Sequence, residues 1–172
     1  MANPSPNPDQ AEFYAAPMIV QLREFLSQHR RALAHCLEGV TETEARVRLV
    51  PSKTTLLGLV KHATFVEQVW LQEARTGTPR AELGIAGTPD ASFDLAETDT
   101  IESVLRGYGK AIKASDQALD GAQLGDVWSG NRRGDLTVSW ILLHVLRELA
   151  QHLGHAEILR EQILSFRADE PH

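Results

Sequence analysis

The chain has 172 residues, of which 42% are hydrophobic and 23% charged, proportions that suit one soluble globular domain with a core of its own. The net charge is −6 and the longest basic clusters are Arg30-Arg31 and Arg132-Arg133, which excludes an electrostatic footprint for nucleic acid; no apolar run approaches the roughly 18 residues of a membrane span. The opening MANPSPNPDQ has neither a charged nor an apolar signal region, and Cys36 is the single cysteine, so the expected setting is the cytoplasm, without an internal disulfide.

In chain order, residues 1–11 read as a disordered leader rich in Pro and Asn, and residues 12–168 as one all-α four-helix bundle. The first helix is expected from about Glu12 to Leu37. Ile19, Leu22, Leu26, Leu33 and Leu37 carry its period, Pro17 marks its first turn and Gly39 its end. Thr41 to Glu44 has the spacing of a capping box that opens a short helical turn. The second helix starts at Ser52 or Thr54 and runs to about Arg75, with Leu56, Leu59, Val66, Val69 and Trp70 on its apolar face. Gly77, Pro79, Gly84, Gly87 and Pro89 make residues 76–98 a long surface loop. Asp99 and Glu102 suggest the capping box of a third helix, through Ile101, Leu105, Tyr108, Ile112 and Leu119 to a stop at Gly121. A link with Trp128 and Gly125, Gly130 and Gly134 leads to a fourth helix, capped at Asp135 or Thr137 and continuing to about Phe166. Four one-sided stripes with little or no strand make a bundle.

The fourth helix carries the chemistry. His144, Glu148, His152 and His155 follow one another at spacings of four, four and three, which puts all four within an arc of roughly 80° on one helix face. Imidazole and carboxylate donors one turn apart are what a divalent metal needs. A further donor has to come from a neighbouring helix, and His62, within the stripe of Thr55, Leu59, Phe65, Val66 and Val69, is the candidate. Alone, His62 reads as a hydrogen-bonded core histidine and the helix-four set as a polar seam. Together they favour a shared cation, because an inward Glu148 is costly without one. Cys36 reads as a small core residue, the Arg132-Arg133 pair as a solvated loop, and the three tryptophans as core anchors.

These residues resemble the DinB/YfiT-like family of four-helix metalloproteins. The resemblance rests on His62 after Leu57-Gly58-Leu59-Val60-Lys61, and on Glu148-Leu149-Ala150-Gln151-His152-Leu153-Gly154-His155. Many members have His where this chain has Glu148, and His-Arg-Gly-Gln where it has His152 to His155. The Glu-x-x-x-His form is similar to the branch containing mycothiol-dependent maleylpyruvate isomerase, in which a His/Glu/His set binds zinc. The resemblance thus implies His62, Glu148 and His152 as metal ligands, with zinc the default and nickel, iron or manganese alternatives. His155 takes the position of the family's glutamine and could be a proton-handling catalytic residue, a fourth ligand or a partner to a ligand. His144 could orient Glu148. Gly154 would let another helix approach.

Three protein ligands leave an open coordination position. The implied activity is activation of a low-molecular-weight thiol of the mycothiol or bacillithiol type for transfer or isomerisation. The competing expectations are a metal-dependent hydrolase and a non-catalytic metal-binding bundle with a structural, sensing or dimerisation role. The expected partners are a small-molecule substrate and a second copy of the chain in a homodimer.

Overall fold

The computed structural model describes residues 12–168; the expected leader lies outside them. Helix α1 spans Met18–His35. It begins directly after Pro17, whose fixed φ of −51° suits a helix entry. Helix α2, Glu42–Ala45, is opened by the expected capping box, in which Thr41 and Glu44 satisfy each other's backbone N–H groups. Helix α3, Leu56–Glu67, is capped by the Thr55 side chain, which accepts from the Gly58 N–H. It continues as a wide π-helical segment over Gln68–Glu73 and a last turn to Thr76. Helix α4, Arg80–Leu83, and a 3₁₀ turn, Ala91–Phe93, give structure to the segment expected to be an irregular loop.

Helix α5 spans Ile101–Ala118. Its capping box is Thr100 with Ser103, one residue beyond the expected Asp99–Glu102 pair. Asp99 is engaged elsewhere: its carboxylate accepts from Lys61 Nζ and from the Ala96 N–H. Strands β1, Val127–Trp128, and β2, Leu136–Thr137, pair antiparallel across the glycine-rich link, a two-residue ladder the sequence reading omitted. Helix α6, Val138–Ala168, is about 46 Å long at 1.5 Å per residue and starts where Thr137 Oγ1 accepts from the Trp140 N–H.

Helix α6 packs on α1 and α3, and α3 packs on α5. The second long helix is therefore the centre of the bundle rather than a one-sided stripe. Leu57, Val60, Ala63 and Leu71 are fully buried beside Leu56 and Leu59. A helix apolar on nearly all sides is what such a position requires. Cys36 is a buried core residue, as expected, and burial raises its thiol pKa further. No helix among the described residues is long and apolar enough to cross a membrane.

Two polar features lock the bundle. Arg30 of α1 is buried and donates Nε to Glu67 Oε1 (2.8 Å) and Nη2 to Glu67 Oε2 (2.7 Å), while Nη1 reaches Asp116 of α5 (2.8 Å). The arginine thus ties three helices together at a carboxylate with no solvent exposure. The link before α6 closes on the π-helical segment and the turn after it: the Gly130 N–H bonds the Ala74 carbonyl, and Asn131 Nδ2 bonds the Val69 carbonyl. A Cβ at residue 130 would lie 2.3 Å from the Glu73 carbonyl oxygen, so only glycine fits there.

Candidate metal centre

His62 sits on the second turn of α3 with 4% of its surface exposed. Glu148 and His152 face it from α6, one helical turn apart. One donor atom from each of the three lies within 4.8 Å of the other two. Among the described residues, no other group of three His, Cys, Asp or Glu side chains converges in this way. The His62 and His152 rings meet edge to face at a centroid separation of 4.6 Å. His152 Nε2 is 3.6 Å from Glu148 Oε2.

The electrostatics prepare these groups to donate. Burial, reinforced by His152, pushes His62 down to about 4, so its ring is neutral at physiological pH. His152 and Arg147 hold Glu148 down at about 2 against the opposing effect of burial, so it is a carboxylate. Arg147 Nη2 donates to Glu148 Oε1 at 3.1 Å. His152 Nδ1 is buried with no hydrogen-bond partner among the described residues. An unpaired ring nitrogen in a buried site next to a carboxylate and a second imidazole is costly unless something binds it. The donor set of two nitrogens and one oxygen therefore fits a divalent cation.

The other two members of the helix-four stripe have different surroundings. His144 lies between two tryptophans, stacked on Trp140 (4.9 Å, 9°) and edge-on to Trp70 (4.1 Å). Its Nδ1 accepts from Arg147 (2.9 Å), and its Nε2 is 3.9 Å from Glu148 Oε1. Arg133 lies over the Trp70 ring at 5.3 Å. His155 is exposed. Beyond His152 the stripe borders a cleft of about 360 Å³, lined by Val50, Ser52, Thr54, Ile158, Leu159 and Gln162 together with His155. The His155 ring remains 5.9 Å from that of His152. Among the described residues, no atom outside its own helix backbone lies within 4 Å of where a Cβ on Gly154 would sit, so none of them makes the close helix approach expected there.

Sequence reasoning missed the residues that close the site on the α3 side. The turn Ala91–Phe93 folds back onto α3, so that Phe93 stacks on His62 at 4.0 Å and 11°. Ser92 Oγ lies 2.6 Å from His62 Nδ1. Lys53 pairs with Asp90 and Asp94, and Lys61 holds the Asp94 carbonyl. The signal was present in the sequence only as two lysines on one segment and acidic residues on another, a pattern that solvated loops share.

The sequence profile of the mycothiol-S-transferase family matches residues 21–164, the span from α1 to the last turns of α6. The chain belongs to the mycothiol-S-transferase family. This family is DinB/YfiT-like, so the resemblance drawn from the two histidine motifs is correct. No curated protein shows significant sequence similarity to the chain. Among solved structures, a conserved protein from Enterococcus faecalis superposes with a TM-score of 0.62 at 16% identity, over 88% of this chain and 99% of that one; at that identity the likeness is one of fold.

Proposed function

We propose that this mycothiol-S-transferase family member is a metal-dependent thiol S-transferase. In this reading His62, Glu148 and His152 hold a divalent ion, with zinc the best match to two imidazoles and a carboxylate. The observation that carries it is the convergence of three donor atoms, one from each residue, within 4.8 Å of one another. When bound, such an ion supplies Lewis acidity that favours the thiolate form of a thiol reaching it. Mycothiol is the thiol that the family's name points to.

The protein's own groups do the remaining work. Neutral His62 and ionised Glu148 present lone pairs without first having to lose a proton. Phe93 and the tight turn beneath it keep water from one side of the site. The cleft beside His155 offers apolar walls, Val50, Ile158 and Leu159, for the body of an electrophilic acceptor. His155 stands at the wall of that cleft, exposed and able to exchange protons with solvent, and takes or returns the proton that thiol transfer displaces. The test is a conjugation assay with zinc-loaded protein and mycothiol, bacillithiol, coenzyme A or glutathione against an activated electrophile. A metal-dependent rate increase with one thiol, lost in His152→Ala, supports the reading. No increase with any of the four rejects it.

A further inference from the structure

The segment that closes the site also decides which nitrogen of His62 is free to bind. Ser92 is buried, 3% exposed, and its Oγ makes two short contacts: 2.5 Å to the Pro89 carbonyl oxygen and 2.6 Å to His62 Nδ1. A hydroxyl has one proton to give. The Pro89 carbonyl can only accept, and two oxygens 2.5 Å apart with no proton between them would repel. The serine proton therefore points at Pro89, and Ser92 Oγ must accept from His62. The proton of the neutral ring is thus on Nδ1.

We propose that Ser92 is a positioning residue: through its bond to the Pro89 carbonyl it holds His62 as the Nδ1–H tautomer and commits the Nε2 lone pair to the metal. This rests on the metal-centre reading above and adds to it a group outside the ligand set. Such a partner on the far nitrogen of a ligating imidazole fixes both tautomer and ring orientation. The arrangement is built rather than incidental. The Thr88 side chain accepts from the Ala91 N–H (3.1 Å), and the Ser92 N–H bonds the Pro89 carbonyl (3.3 Å). Phe93 fixes the plane of the ring by stacking on it. Gly58 permits the approach, since a Cβ there would stand 3.2 Å from the Phe93 carbonyl oxygen and 2.9 Å from Thr55 Oγ1. That gives a physical role to the glycine in the Leu-Gly-Leu-Val stretch ahead of His62.

Two measurements test the proposal. Long-range proton–nitrogen NMR on the metal-free wild type, with His62 assigned through His62→Gln, reads the tautomer directly. A pyrrole-type Nδ1 and a pyridine-type Nε2 are expected, and the reverse assignment overturns the proposal without any variant at Ser92. Zinc titration against a competing chelator then compares wild type, Ser92→Ala and Ser92→Thr. Ser92→Ala should weaken zinc binding about 10- to 100-fold with an unchanged circular-dichroism spectrum, and Ser92→Thr, which keeps the hydroxyl, should recover most of the loss. Equal affinity in all three overturns the proposal. Should the wild type bind no zinc, the metal-centre reading fails. The tautomer measurement, repeated on Ser92→Ala, still decides the hydrogen-bond relay: loss of the Nδ1–H form supports it, and an unchanged tautomer rejects it.

Discussion

Replacing Arg30 by methionine removes the cation from a site built around it. Arg30 makes two parallel charge-assisted bonds to Glu67 at 2.8 and 2.7 Å and a third to Asp116 at 2.8 Å. The Asp116 side chain is 46% exposed, so water replaces the guanidinium there and the loss is within about 1 kcal/mol. Glu67 has no exposed surface and gains no such compensation. Its carboxylate would be left buried and unpaired, which costs about 3–5 kcal/mol. A domain of this size holds only about 5–15 kcal/mol of stability in total, and each kcal/mol moves its Tm by roughly 2–4 °C. Arg30→Met should therefore lower Tm by at least about 6 °C. The double variant Arg30→Met with Glu67→Leu should recover most of the loss, because an apolar pair of similar volume replaces a buried ion pair at little cost. Urea unfolding of metal-free wild type, both single variants and the double variant gives the comparison. A loss below about 1 kcal/mol in Arg30→Met, or a double variant as unstable as the single, would refute the reasoning.

Acid should unfold the metal-free protein partly through His62. Its ring titrates near 4 in the fold because it is buried beside His152, against about 6.5 in the unfolded chain. Between those values only the unfolded chain takes up the proton, so stability is full above pH 6.5 and falls by roughly 3 kcal/mol on going down to pH 4. His62→Phe should flatten that part of the profile; parallel profiles would show that the ring is not the cause. Gly130→Ala drives a methyl into the Glu73 and Ala74 carbonyls and the Gly77 N–H and should cost at least about 1–3 kcal/mol, read by urea midpoint, whereas Gly154→Ala, with open space around it, should be neutral or slightly stabilising. Glu148→Gln keeps the shape and loses the charge; zinc affinity should fall at least about tenfold, and an unchanged affinity would take Glu148 out of the ligand set.

The bundle and the convergence of His62, Glu148 and His152 were legible because both depend on helical period. His62 lies in a run where nearly every position is apolar, and Glu148 and His152 share a face by their spacing alone. The Thr41–Glu44 capping box was legible for the same reason, being a contact within four residues. What the sequence hid depends on contacts distant along the chain. Ser92 and Phe93 reach His62 across 30 residues, and no local pattern marks a serine in a polar loop as a hydrogen-bond partner. The Arg30–Glu67–Asp116 tie links three helices, and each member taken alone is an ordinary surface residue type. His155 shows the opposite limit. The period puts it on the same helix face as Glu148 and His152, but exposure depends on whether another element covers that part of the face, and here His155 lines a cleft. The shift of the α5 cap to Thr100 has the same origin, since Lys61 had already claimed Asp99.

The central claim is that one divalent ion is held jointly by α3 and α6. Elemental analysis of untagged protein, dialysed against zinc and then against buffer, tests it most directly. One zinc per chain in the wild type, and less than a tenth of that in His62→Ala and in His152→Ala with the fold intact, is the expected result. Stoichiometric zinc in a folded His62→Ala protein, or none in the wild type, would contradict it.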